Sequence, residues 1–132
     1  VLINGDIELK QDDKSWEKIS NKKGLVCGQR FNYLKSYEDS KINLGGIDFF
    51  IIENLQVPND DNFCFGLPCW DWWIVYLAQL QKLNISFIKF PFFFHKTHKR
   101  NWEQSCLYMI NYFEKATNKK INNFRKSFIN FI

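Results

Sequence analysis

An α/β sandwich is the fold class that this sequence predicts, on three observations. Strand-like apolar runs alternate with segments of helical periodicity, no internal repeat is visible, and 132 residues are one domain's worth of chain. Hydrophobic residues make up 45% and aromatic residues 18% of the sequence, ample for a packed core, and with 24% charged residues they exclude a disordered class.

The elements follow in order. Val1 to Ile3 is an apolar triplet that runs into Asn4, Gly5, Asp6 and Ile7, which predicts a buried strand ending in a polar turn, the place where open α/β sheets present ligand groups. Asp12 to Ser20 carries Trp16 and Ile19 at helical spacing and predicts a short helix. Gly24 to Gln29 and, after the Gly45-Gly46 turn signal, Ile47 to Ile52 predict core strands. Asn54 to Asn62, with Pro58 and a run of Asp and Asn, predicts a loop. From Asp71 onward Trp73, Ile74, Leu77, Leu80 and Gln81 recur near a period of 3.6, between Pro68 before and Asn84 after, and predict a helix. Ile85 to Phe90 and Pro91 to Phe94 read as one or two strands that deliver His95 and His98 to a strand end. Glu103 to Ala116 and Lys119 to Ile132 read as two further helices.

A net charge of +4, from 18 basic and 14 acidic side chains, is a mild excess, and the basic residues are scattered. A nucleic-acid partner is therefore not expected. Cys27, Cys64, Cys69 and Cys106 include no C-x-x-C pair, so buried free thiols are expected rather than a zinc site, with a Cys64–Cys69 disulfide as the alternative. No apolar run reaches the roughly 18 residues of a membrane span. The chain opens at Val1 directly on a strand-like triplet, so it is expected to begin partway through its fold.

Three constellations carry chemistry. In Asn4-Gly5-Asp6, with Glu8 beyond, a carboxylate at a strand end can hold a divalent cation; a tight turn is the structural alternative. In Gly66 to Trp73, Asp71 stands at a helix start among tryptophans. There it either caps the helix or serves as a general base beside Trp70, Trp72 and Trp73, whose indole faces suit sugar rings. His95 and His98, the only histidines, are either metal ligands or a surface pair in a basic turn.

In this order the segments V-L-I-N-G-D-I (1–7), V-C-G-Q-R-F (26–31), G-I-D-F-F-I (46–51), G-L-P-C-W-D-W-W (66–73) and F-H-K-T-H-K-R (94–100) resemble the pattern of a family of GT-A-type glycosyltransferase-like proteins. That pattern runs N-G-D-I, G-Q-R or G-R-R, G-x-D-x-F-x-F, G-R-P-G-W-D-N-W and I-H-Q-N-H-D-Y. The chain departs from it at Leu67 for Arg, Cys69 for Gly, Trp72 for Asn, and Lys99-Arg100 for Asp-Tyr.

The resemblance implies a partial GT-A-like sandwich, a mixed sheet flanked by helices. Residues 1–132 would be its metal-binding and acceptor side, without the N-terminal nucleotide-binding half. It implies Asp6 as metal and diphosphate ligand, Asn4 facing the ribose or sugar, Arg30 near phosphate, His98 or His95 completing the metal site and Asp71 as catalytic base. Trp70 and Trp73 are expected to contact the acceptor. The expected activity is metal-dependent, inverting transfer of a sugar from a nucleoside diphosphate sugar to a glycan or glycoconjugate hydroxyl. Mn2+ or Mg2+ is the expected cofactor, and the expected place is the cytoplasm or the cytoplasmic face of a membrane. The alternative is a non-catalytic carbohydrate-binding or degenerate transferase domain built on Trp70, Trp72 and Trp73.

Overall fold

A computed structural model describes residues 1–10, 12–58, 65–99 and 107–129. The chain runs β1 (Leu2–Ile3), β2 (Ile7–Leu9), α1 (Asp13–Ser20), β3 (Leu25–Tyr33), a 3-10 turn at Tyr37–Asp39, β4 (Lys41–Ile52), α2 (Trp70–Leu80), β5 (Ile85–Lys96), α3 (Tyr108–Thr117) and α4 (Ile121–Ile129). The strands form one five-stranded mixed sheet in the order β1-β4-β3-β5-β2, in which only β3 and β5 run parallel.

Period-two alternation sorts the strand side chains between two cores. Leu25, Cys27 and Phe50 face a layer made by α2, α3 and α4, where they meet Trp72, Phe113 and Phe124. Val26, Phe49, Ile88 and Phe93 face the other way and are covered by Trp16 and Ile19 of α1. Helix α2 is the central helix. Seven of its eleven residues are buried, because the sheet covers one side and α3 and α4 the other.

The expected α/β class and the mixed sheet with flanking helices are present. The expected strands at 24–29 and 47–52 are the inner parts of longer strands that extend to Tyr33 and begin at Lys41. The polar ends of β3 and β4 lack the apolar alternation that marks a strand in sequence. Residues 85–94 form one strand rather than two. Pro91 falls in an irregular excursion of it: Gly28 and Arg30, two apart on β3, pair with Ile88 and Phe93, five apart on β5, so the missing proline N–H costs no ladder bond. Strand β2 was not expected, since three residues are too short to display a period; it is pinned by Tyr33 Oη, which donates to Glu8 Oε1 at 2.6 Å, and by Tyr37, which donates to the same carboxylate. Of the expected loop at 54–62, residues 59–62 lie outside the described residues, as do 103–106 and 130–132 of the two expected C-terminal helices.

Gly28 sits where β3 meets the excursion of β5. A Cβ there would lie 2.5 Å from the ring of Phe93, which is fully buried and stacked on Phe49 with centroids 4.5 Å apart. Gly28→Ala is expected to destabilise the protein by about 1–3 kcal/mol through overpacking, measurable as a lower urea midpoint at unchanged slope.

Candidate functional site

The two edge strands β1 and β2 are consecutive in sequence and joined by Asn4-Gly5-Asp6 alone. In a flat sheet four strand spacings would separate them by about 19 Å, more than a three-residue link can cross at about 3.5 Å per residue. The sheet is therefore curled, and the N-G-D turn closes across its curled end. The turn is held by Asn4 N–H donating to Asp48 O at 3.0 Å and Ile7 N–H to Asn4 O at 3.2 Å.

Beneath the turn, β4 carries a bulge. Gly28 pairs with Phe49 and Gln29 with Ile47, which leaves Asp48 as the extra residue on β4. Bulges re-aim a side chain, and here the buried Asp48 carboxylate accepts from Asn4 Nδ2 at 2.5 Å through Oδ1 and from Arg30 Nη1 at 2.9 Å through Oδ2. Arg30 reaches this position across Gly46. A Cβ on Gly46 would lie 2.5 Å from Arg30 Nε, so a residue without a side chain is required there.

Asp6, at the end of the turn, meets the end of β5. His95 Nε2 lies 3.2 Å and His98 Nε2 3.4 Å from Asp6 Oδ2, and ligand atoms of all three residues fall within 4.8 Å of one another. Burial opposes ionisation of Asp6, but the hydrogen bond from His98 and the charge of His95 outweigh it and hold its pKa below the ordinary value. His95 is buried, and burial together with the Arg30 charge lowers its pKa, which favours the neutral imidazole that ligates metals. His98 is exposed; its hydrogen bonds to Lys99 O and Asp6 raise its pKa.

A carboxylate and two imidazoles are a donor set for a divalent cation, with room left for exchangeable ligands, and the imidazoles favour Mn2+ over Mg2+, which prefers oxygen. In one respect the set is incomplete. Among the described residues the buried His95 Nδ1 has no hydrogen-bond partner, whereas ligating histidines ordinarily donate from the second nitrogen.

These groups open into a cleft of about 580 Å³ that also receives Asp71 and Arg125. Asp71 is the second residue of α2, after an N-cap position held by Cys69 without a side-chain bond, and its carboxylate accepts from the first-turn backbone at Trp72, so it serves the helix start as well as facing the cleft. Burial drives its pKa up to about 7; the Arg125 charge opposes this and Asp48 adds to it. Cys69, where the resembling pattern has Gly, adopts the left-handed conformation at φ 72°, which glycine takes at least cost.

Of the residues expected from sequence, Asn4, Asp6, Arg30, Asp71, His95 and His98 all line this one cleft, although they span 95 positions from Asn4 to His98. Asn4 and Arg30, expected to face sugar and phosphate, are both bonded to Asp48. The tryptophans require a correction. Trp70 borders the cleft but is only 5% exposed, and Trp73 is 6% exposed and packs on Tyr76, Tyr112 and Phe113. Trp72 is wholly buried, with its indole N–H donating to Gly45 O at 3.1 Å. An apolar ring beside a sheet gains more by burial than by waiting for a sugar, so no open indole platform exists among the three. Cys27 and Cys69 are buried free thiols, as expected; Cys64 and Cys106 lie outside the described residues, and so does Arg100.

Sequence reasoning did not single out Asp48 or Arg125. Asp48 stood in the quoted G-I-D-F-F-I segment, where a lone acid inside an apolar strand was the available signal. No signal marked Arg125 among the lysines and asparagines around it. Comparison of the chain with protein-family models, curated proteins and solved structures finds no match.

Because the folded-state pKa of Asp71 lies above its unfolded value, the unfolded chain releases this proton first. The contribution of Asp71 to stability is then fully present below about pH 4 and declines toward about pH 7. Urea denaturation across that range should show the wild type losing stability relative to Asp71→Asn, with the variant the more stable at pH 8.

Proposed function

We propose that this chain carries the metal-binding and acceptor side of a GT-A-type glycosyltransferase, which moves a sugar from a nucleoside diphosphate sugar to a hydroxyl of a glycan or glycoconjugate with inversion. One observation supports it above the others: a three-ligand cation site and a near-neutral carboxylate, drawn from positions 6, 71, 95 and 98, share one cleft. The finer GT-A assignment rests on the five segments that resemble that family's pattern.

In this reading Asp6, His95 and His98 hold a divalent cation, and a cation there supplies positive charge to the departing diphosphate. The Asn4–Asp48–Arg30 cluster fixes the N-G-D turn, so that Asp6 is oriented before ligand arrives. Asp71 removes the proton of the acceptor hydroxyl as the oxygen attacks the anomeric carbon from the face opposite the diphosphate. A carboxylate that titrates near pH 7 is matched to that task, being partly ionised near neutral pH and basic enough to accept the proton. The Mn2+-dependent, cytoplasmic setting belongs to the same proposal; no helix among the described residues is long and apolar enough to cross a membrane. A carbohydrate-binding domain that stacks sugars on Trp70, Trp72 and Trp73 is disfavoured by their burial.

Calorimetric titration of the full-length protein with Mn2+ and a panel of nucleoside diphosphates tests the reading. Metal-dependent binding should be lost in Asp6→Ala, and binding that survives the substitution or is indifferent to chelator would overturn it. Asp71→Asn should retain that binding while transfer falls by about 10²–10⁴-fold, the usual worth of a positioned base. Turnover at the wild-type rate would remove Asp71 from the role.

A further inference from the structure

We propose that Arg125 is an oxyanion-recognition residue, and that the ligand of this cleft carries a carboxylate or phosphate group held by the Arg125 guanidinium beside Asp71. Arg125 sits on α4 one helical turn after Ile121, and both residues line the cleft. The helix is anchored from beneath, where Phe124 and Phe128 each pack 6.1 Å from the Trp72 ring. The guanidinium carbon of Arg125 lies 5.7 Å from the Trp72 ring centroid. A guanidinium within about 6 Å of an indole face is attracted to it, which holds Arg125 at the cleft wall, and its N–H donors are of the kind that read a planar or tetrahedral oxyanion at two points.

Arg125 is also unsatisfied. Among the described residues its buried Nε has no hydrogen-bond partner and no carboxylate forms an ion pair with it. Arg30, the other arginine of the cleft, shares the unmet Nε but carries its charge against a carboxylate, with Nη1 committed to Asp48 at 2.9 Å. A partly buried cation with an unmet donor is costly unless something completes it. The cleft supplies the space, and an anionic ligand group supplies the acceptor. Assignment of that ligand as the sugar acceptor, a uronate or a sugar phosphate, rests on the transferase reading; recognition of the oxyanion does not.

The test uses glucose, glucuronate and glucose 6-phosphate, titrated into the protein in EDTA and followed by NMR at the Arg125 Nε–H. At least one charged sugar should bind about tenfold or more tightly than glucose, the effect of one charge-assisted hydrogen bond, and should shift the Arg125 Nε–H resonance. Which of the two binds distinguishes carboxylate from phosphate. Arg125→Gln should abolish the preference, and Arg125→Lys should keep part of it, since charge remains but the fork is lost. Equal binding of charged and neutral sugars by the wild type would overturn the proposal without recourse to any variant. So would a preference that survives in Arg125→Gln, or shifts confined to Arg30 and the histidines. A protein that shows the preference but binds no Mn2+ retains the role of Arg125 and loses the transferase reading; the opposite result does the reverse.

Discussion

The carboxylate of Asp48, clasped between Asn4 and Arg30, is the interaction on which the geometry of the cleft depends. It adds side-chain ties between three pieces of chain already brought together by the sheet: the turn between the two edge strands, the middle of β3 and the bulge of β4. Both partners of the Arg30–Asp48 pair are largely withdrawn from solvent, with 17% and 7% of their side-chain surfaces exposed. Such a pair contributes little net stability against an apolar substitute, but loss of one partner strands a buried charge at a cost of about 3–5 kcal/mol. Its value here is positional. With Asn4 bonded to Asp48 and Ile7 N–H to Asn4 O, the turn is held at both ends and carries Asp6 toward the histidines.

Around that clasp the fold divides its labour between two aromatic cores. On the α1 side, Phe49, Phe92 and Phe93 with Trp16 fill a compact layer. On the other side the aromatic packing of α2, α3 and α4 reaches the cleft. Trp72 joins the two functions, since its ring packs against Phe124 and Phe128, its N–H satisfies the Gly45 carbonyl in the wall of the cleft, and its face carries Arg125. The density of packing that holds α2 also withdraws Asp71 partly from water, and this burial lifts its pKa toward neutrality.

Several parts of this arrangement were legible beforehand because they depend on local chemistry. The periodicity of residues 71–81 reflects a helix buried on most sides, and the apolar runs at 25–29 and 47–52 reflect strands covered on both faces. The Asn-Gly-Asp turn and the histidine pair showed themselves as polar groups at the ends of apolar segments, where the chain must leave the core. The tryptophans misled for a related reason. An indole beside an acid is compatible with a sugar platform or with a helix packed on a sheet, and only the partners of Trp72 and Trp73 decide which.

By itself the sequence determined the class of fold, the rank of elements along the chain and the residue types able to bind a cation or move a proton, since these follow from spacing, propensity and side-chain chemistry. The tertiary structure alone decided that these residues share one cleft, that Asp48 is turned inward by a bulge, that Arg125 lies over Trp72 without an ion pair among the described residues, and that the tryptophans are core. The physical reason is that curl, register shift and burial arise from pairings between segments far apart in the chain, such as Ile7 with His95 and Leu2 with Phe50, and no local pattern encodes which distant partner a strand will take.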